Sequence, residues 1–240
     1  TDRVLEFGRR SKGAARLLTL GIKDTQVVAS GRPFTPEQLL RYVRDAEEGD
    51  TRYLHAFFDE MRATDAHLDG ELSKAEDYLT GARIDVLPYP PRLRGPSQKS
   101  KREAKRATEI AAFVEENLFA PNVRLDRAIC ALADGYWKGV GGFEVISEGG
   151  GGGNGRERLV EFVQIPSQRF RYLPRTTTLA LQLTEDDQKL TPVDQLGAKV
   201  VYLIADPEVP SPGRRGLLRR CLGLWLIRKY GAQQWSRFVE

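Results

Sequence analysis

Cysteine, histidine and methionine are nearly absent, at two, two and one residues in a chain of 240. Cys130 and Cys221 lie far apart on segments that both read as helical, so neither a disulfide framework nor a thiolate metal site is expected. Two small hydrophobes in a reducing compartment are the expectation instead. His55 and His67 have no cysteine or carboxylate at ligand spacing and sit among polar helical residues. That predicts surface positions and leaves metal ligation and imidazole acid–base chemistry without candidates. Long apolar runs are also missing. Residues 222–227 are bracketed by Arg219, Arg220, Arg228 and Lys229, so nothing approaches the roughly eighteen residues of a membrane helix. The first ten residues lack an apolar stretch between a basic end and a small-residue cleavage site, and neither secretion nor membrane insertion is expected.

Catalytic motifs are equally scarce. There is no Gly-x-Ser-x-Gly elbow. The glycine run 149–153 lacks the Lys-Ser/Thr of a phosphate loop and joins two strand-like segments, where such a loop opens a helix. Glu185, Asp186 and Asp187 read as solvated acids in a turn. Asp59, Glu60 and Asp65 read as helix-surface and capping residues, and Asp59, Asp65, Asp134 and Asp206 do not assemble into a metal-binding cluster. No zinc finger, helix-turn-helix or aromatic RNA-binding signature accompanies the basic residues. The chain is therefore expected to be no enzyme and to carry no cofactor and no metal.

What is present is core and charge. Hydrophobic residues make up 40% and charged residues 29%, with a net charge of +4, enough for a sizeable core in one or two domains. Positive charge gathers at 92–106 and 214–237, and acids at 45–50 and 185–187. Arg92, Arg94, Lys99, Lys101, Arg102, Lys105 and Arg106 have a bland reading as a solvated helix end. Their functional reading is a salt-sensitive contact with phosphate or with a partner.

The order of elements points to an α+β fold: N-terminal helices, a mainly antiparallel sheet and a long C-terminal helix. Residues 1–32 are polar, basic and poorly periodic and read as an extended or mobile arm. Thr35 caps a helix with Pro36 at its first position, ended by Gly49. Thr51 caps a second, with Tyr53, Leu54, Phe57, Phe58 and Met61 as its apolar face. A third runs from about 65 to 80, and residues 84–87 read as a short strand. Residues 97–118 form a helix with Ile110, Phe113, Val114 and Leu118 facing the core, and 125–136 another, stopped by glycine. Beyond it the period becomes two, predicting strands at 142–147, 158–165, 170–173, 179–183 and 198–204. The last segment, from Gly213, returns to helical spacing. Leu217, Leu218, Cys221, Leu224, Trp225, Ile227, Trp235 and Phe238 form a broad apolar face, and Arg219, Arg220, Arg228, Lys229 and Arg237 fill the remainder.

The wording of that last segment resembles the portal proteins of Mu-like tailed phages and prophages. It carries Gly216-Leu-Leu-Arg219, the aromatic Trp225, Arg228 in place of a lysine, then Trp235, Phe238 and Glu240. Further stretches match in order: Thr35-Pro-Glu-Gln-Leu-Leu, Ala46-Glu-Glu-Gly-Asp50, Phe58-Asp-Glu-Met-Arg-Ala-Thr-Asp65, Ile84-Asp-Val-Leu-Pro88, Ala131-Leu-Ala-Asp-Gly-Tyr-Trp-Lys-Gly139, Phe143-Glu-Val-Ile146 and Ile165-Pro-Ser-Gln-Arg-Phe170. Gly223, Ile84 and the glycine run depart from the family's pattern.

The resemblance implies a structural subunit of a dodecameric head–tail connector at the capsid vertex of the virion, assembled in the host cytoplasm. Its implied partners are copies of itself, double-stranded DNA in the channel, the terminase large subunit, and capsid and head–tail adaptor proteins, with no membrane. This chain would supply a wing-like region: helices at 33–136, an antiparallel β part at 137–212 and, at 213–240, the start of a long helix leading to a stem beyond Glu240. Arg214, Arg215, Arg219, Arg220, Arg228, Lys229, Arg237, Lys101, Arg102, Lys105 and Arg106 become candidates for subunit or DNA-backbone contact. Trp225, Trp235 and Phe238 become packing anchors. Two other readings are a portal-derived interaction module without channel function and a basic-groove DNA-processing enzyme.

Overall fold

In the computed structural model of the chain the described residues are 16–18, 35–89, 98–149, 157–173, 176–183 and 189–239. The side chains of 16–18, 36, 98–100, 157, 230 and 232–239 are outside that description. Helix α1 (Pro36–Glu47) begins on a capping box. The Thr35 hydroxyl accepts from the Gln38 amide at 3.2 Å, and the Gln38 side chain accepts from the Thr35 amide at 3.1 Å. Helix α2 (Arg52–Thr64) buries Leu54, Phe57, Phe58 and Met61, whereas Tyr53 stays 42% exposed and stacks on Tyr42. Thr51 does not cap this helix as expected. Its hydroxyl donates to the Phe170 carbonyl at 2.8 Å, tying the helix start to the β region. Asp65 does cap helix α3 (Ala66–Thr80), accepting from the His67 and Leu68 amides.

Two expectations fail where the chain leaves this helical group. Residues 84–87 form no strand, because no neighbouring strand is at hand to pair with them among the described residues. Helix α4 (Gln98–Leu118) has its basic and apolar halves, but Ile110 and Val114 are 52% and 42% exposed. Ala111 is buried and Phe113 half-buried, and the clearest contacts are made by the end of the helix. Asn117 accepts from the Leu159 amide at 3.3 Å, and Leu118 packs against a cluster containing Val123, Phe143 and Phe162.

Helix α5 (Leu125–Lys138) holds the layers together. Ala133 and Trp137 join the helical core of α1 to α3, while Ala128 and Ala131 join the sheet core around Phe143 and Phe162. Its close seat on the sheet depends on missing side chains. A Cβ on Gly141 would lie 2.4 Å from the Gly135 nitrogen and 2.6 Å from the Ala131 carbonyl oxygen. The helix ends at Gly139 in the left-handed region, φ 110°.

The β region is antiparallel throughout the described residues, but it forms two sheets where one was expected. In the first, long strand β2 (Val140–Gly149) pairs on one edge with β3 (Glu157–Ile165). Its other edge takes β7 (Val200–Ile204) near its start and β1 (Arg16–Leu18) near its end. Part of the presumed arm is thus an edge strand. The second sheet orders β4 (Phe170–Tyr172), β5 (Leu179–Gln182) and β6 (Leu190–Pro192), the last of which the sequence reading missed. A core of Val140, Ile165, Phe170, Leu181 and Val193 joins both sheets.

Helix α6 (Leu217–Val239) follows a turn at Gly216, φ 84°, whose Cβ position is occupied by the Gly139 nitrogen at 2.5 Å. Leu218 and Leu222 then enter the helical core. The whole is the expected α+β arrangement, with helices, antiparallel sheets and a closing long helix.

Candidate functional site

The basic residues marked by the sequence fall into two groups of different character. On α4, Lys101, Arg102, Lys105 and Arg106 are all exposed, and no ion pair engages them among the described residues. Lys101 with Lys105 and Arg102 with Arg106 stand four residues apart along one side of the helix, with Glu103 and Glu109 at its margin three or four residues from Arg106 and Lys105. They form a stripe of predominantly positive charge that makes no ion pair among the described residues.

The C-terminal group behaves otherwise. Arg214 pairs with Glu47 at 3.0 Å, Arg220 with Asp206 at 2.7 Å and Arg228 with Asp65 at 3.3 Å. Arg219 donates to the Gly213 carbonyl at 3.1 Å, and the Lys229 ammonium lies 4.5 Å from the centre of the Trp225 ring. Trp225 itself meets Phe57 edge-on at 5.5 Å. Arg215 is 4% exposed, lies over the Tyr172 ring, and donates to the Tyr172 hydroxyl at 2.9 Å and to the Val209 and Pro207 carbonyls. These side chains fasten the root of α6 to α1, to the α2–α3 junction and to the loop after β7. The side chains of Trp235, Arg237 and Phe238 lie outside the described residues.

The acidic block at 45–50 is likewise partly engaged. Asp50 pairs with Arg52 at 2.8 Å and lies 3.8 Å from Arg171. Burial works to raise its pKa, and the two guanidinium groups outweigh that and hold the carboxyl below its usual range. The acids at 185–187 lie outside the described residues, as do Arg92, Arg94 and the side chain of Lys99.

A buried polar junction escaped the sequence reading. Lys138, the last residue of α5, is 7% exposed, and its ammonium meets Asp59 of α2 at 2.6 Å and Asp134 at 3.0 Å. Gln168, in the 3-10 turn Ser167–Arg169, donates to Asp59 at 2.9 Å, and Gln164 of β3 donates to Asp134 at 3.2 Å. Burial pulls the Lys138 pKa down, and the two carboxylates more than reverse this, so the ammonium is charged. One turn earlier on α2, His55 is not at the surface as expected but 2% exposed, its Nδ1 donating to the Ser167 carbonyl at 2.8 Å. Burial pushes its pKa down to about 4, with the nearby Lys138 charge acting in the same direction. The Asp134 and Lys138 pair at i, i+4 was readable in the sequence. Asp59, seventy-nine positions from Lys138, was not.

The junction is built to hold α2, α5 and β3 in register, and its charges are satisfied within it. Among the described residues no group of three or more His, Cys, Asp or Glu is placed to bind a metal ion, and no helix is long and apolar enough to cross a membrane.

Two comparisons with known proteins bear on this chain. The profile of the family described as the portal protein of Mu bacteriophage matches residues 55–240. The Mu-like prophage FluMu protein gp29 of Haemophilus influenzae is 25% identical over 235 residues, covering 98% of this chain and 42% of its own length. The chain thus spans less than half of that curated relative.

Proposed function

Because the chain belongs to the portal protein family of Mu bacteriophage, we propose that it is the wing-like part of a subunit that closes into a ring at one capsid vertex. Double-stranded DNA would be packaged and ejected through that ring. The observation that carries this reading is the extent of the match, which takes in every element from within α2 to the end of α6. In this reading residues 33–136 form the helical layer, 137–212 the β layer, and 213–240 begin the helix that leads inward.

The work of such a subunit is mechanical and electrostatic, with no covalent step. The α4 stripe meets phosphates or an acidic face of a neighbour, a contact that weakens with salt and reads no sequence. The arginines at the root of α6 hold that helix at a fixed angle and complete contacts with adjacent copies. Contact between unlike faces of neighbours closes a ring when the rotation permits. The terminase large subunit, the capsid shell and the head–tail adaptors are the remaining partners, the virion is its final place, and assembly occurs in the host cytoplasm.

The test is the mass and symmetry of the longest product of the gene, by light scattering and negative-stain imaging. A closed ring of about a dozen copies, the stoichiometry the family resemblance implies, is expected, its rotation set by the unlike faces in contact. A product that stays monomeric at high concentration refutes the reading and leaves an interaction module in its place.

A further inference from the structure

Between α3, α5 and β7 lies an open groove of about 670 Å³ whose walls include Tyr78, Leu79, Ile129, Leu132, Tyr136 and Leu203. Every wall residue is apolar or aromatic. Several project well into solvent: Tyr78 is 84% exposed, Tyr136 54%, Leu79 44% and Leu203 37%. A contiguous surface of this kind on a folded chain marks a contact.

One rim of the groove is a strand with a spare edge. β7 reads Val-Val-Tyr-Leu-Ile and pairs only with β2 among the described residues. Val201, Tyr202 and Leu203 are each between 37% and 39% exposed. β7 has no lysine, proline or bulge, three of the devices that guard an edge strand. Such an edge accepts a further strand through main-chain hydrogen bonds, with alternate side chains entering the pockets beside it.

The chain also carries a segment suited to that role. Residues 84–89, Ile-Asp-Val-Leu-Pro-Tyr, have the composition of a strand yet form no ladder among the described residues. Ile84, Leu87 and Tyr89 are 39%, 80% and 74% exposed. Arg83 and Asp85 neutralise each other at 2.8 Å, so the segment brings no unpaired charge to an apolar wall. Pro88 lacks an amide hydrogen and ends any ladder there, which leaves a pairing length close to the five residues of β7.

We propose that β7 and the groove beside it receive residues 84–89 of a second copy of this chain as an added strand. This rests on the ring reading and says where neighbouring subunits touch. The groove and the segment are unlike surfaces, so the contact is heterologous and repeats from copy to copy until it closes. Its size fits that role. Tyr78, Tyr89, Tyr136 and Tyr202, at roughly 150–250 Å² each when bare, leave on the order of 500 Å² in solvent at their exposures. Even doubled by the leucines and Ile84, this stays below the roughly 1,600 Å² of a stable isolated pair. The contact therefore holds through repetition around a ring.

The experiment uses the full gene product with Cys130 and Cys221 replaced by serine. Subunits carrying Tyr78→Cys are mixed with subunits carrying Leu87→Cys and treated with a short bismaleimide. Cross-linked pairs are expected in the mixture only. Leu87→Glu, at a site already in solvent, is expected to leave the thermal midpoint unchanged and weaken self-association at least tenfold. Rings that form without the cross-link and tolerate both Leu87→Glu and Tyr78→Glu overturn this contact while the ring reading stands. Cross-linking within one dilute chain carrying both cysteines also overturns it, because the segment then covers its own groove. Monomers that give no cross-link at any concentration defeat both readings, and cross-linked pairs without rings keep the contact and remove the ring.

Discussion

His55 offers a quantitative test of how the helical and β layers are joined. Its imidazole is buried on α2 against the 3-10 turn, with Phe58 at 6.4 Å and the Asp59 and Lys138 charges close by. In the folded chain it stays neutral down to about pH 4, whereas the unfolded chain takes up the proton near pH 6.5. Between those values the unfolded state binds more protons, so stability present at pH 7 is lost as pH falls from about 6.5 to about 4. The interval from about 6.5 to about 4, at about 1.4 kcal/mol for each pH unit, amounts to about 3.5 kcal/mol, of which about 3 kcal/mol is lost by pH 4, a large share of a typical 5–15 kcal/mol. The assay is urea denaturation from pH 7.5 to pH 4 on the parent chain and on His55→Gln. Carboxylates titrate in both, so the difference between the curves isolates the imidazole. The variant is expected to be less stable at pH 7, where the bond to Ser167 is disturbed, and to lose about 3 kcal/mol less on acidification. Parallel curves, or an imidazole NMR titration centred near 6.5, would refute the buried neutral histidine.

Two further outcomes follow from the charged groups. Lys138→Met leaves Asp59 and Asp134 facing each other without their cation. Breaking a fully buried pair costs about 3–5 kcal/mol, and because the Asp59 side chain is 42% exposed the expected loss is about 2–4 kcal/mol. Urea denaturation reads it, and adding Asp59→Asn and Asp134→Asn should recover most of the loss; a neutral single variant would show that the cluster is not structural. Reversing Lys101, Arg102, Lys105 and Arg106 to glutamate should flatten the salt dependence of duplex binding. Each phosphate contact carries a slope of about −0.9 in log K against log salt, so a loss of up to about 3.5 is expected from filter binding at several salt concentrations. An unchanged slope places the stripe away from DNA.

Local signals in the sequence carry through to the structure, and where the two differ a distant partner decides. Thr35, Pro36 and Gln38 announce the start of α1 without outside help, and Asp65 and Gly139 do the same for their helices. Strands β2, β3, β4, β5 and β7 follow from their period of two, but the three-residue β1 and β6 and the division into two sheets do not, because pairing partners are not local. Thr51 looks like a cap and is drawn instead to Phe170. Residues 84–87 look like a strand and have no ladder. His55 was placed by its polar neighbours in sequence, although it shares a helix face with Thr51 and Phe58, both buried. In the basic clusters the sequence gives the charge but not its use. Arg214, Arg220 and Arg228 are matched by acids 167, 14 and 163 positions away, whereas the α4 stripe makes no ion pair among the described residues.

The fastening of α6 limits how the helix can move. Arg220 and Arg228 are eight residues apart, about 12 Å along the axis and roughly 80° apart around it at 3.6 residues per turn. One grips Asp206 beside the β7 sheet and the other grips Asp65 between α2 and α3. A rotation or slide of this helix therefore has to part both ion pairs and move Trp225 off Phe57. Each exposed pair adds only about 0–1 kcal/mol, so the Trp225–Phe57 contact and the burial of Leu218 and Leu222 set the position of the helix and the two pairs set its rotation.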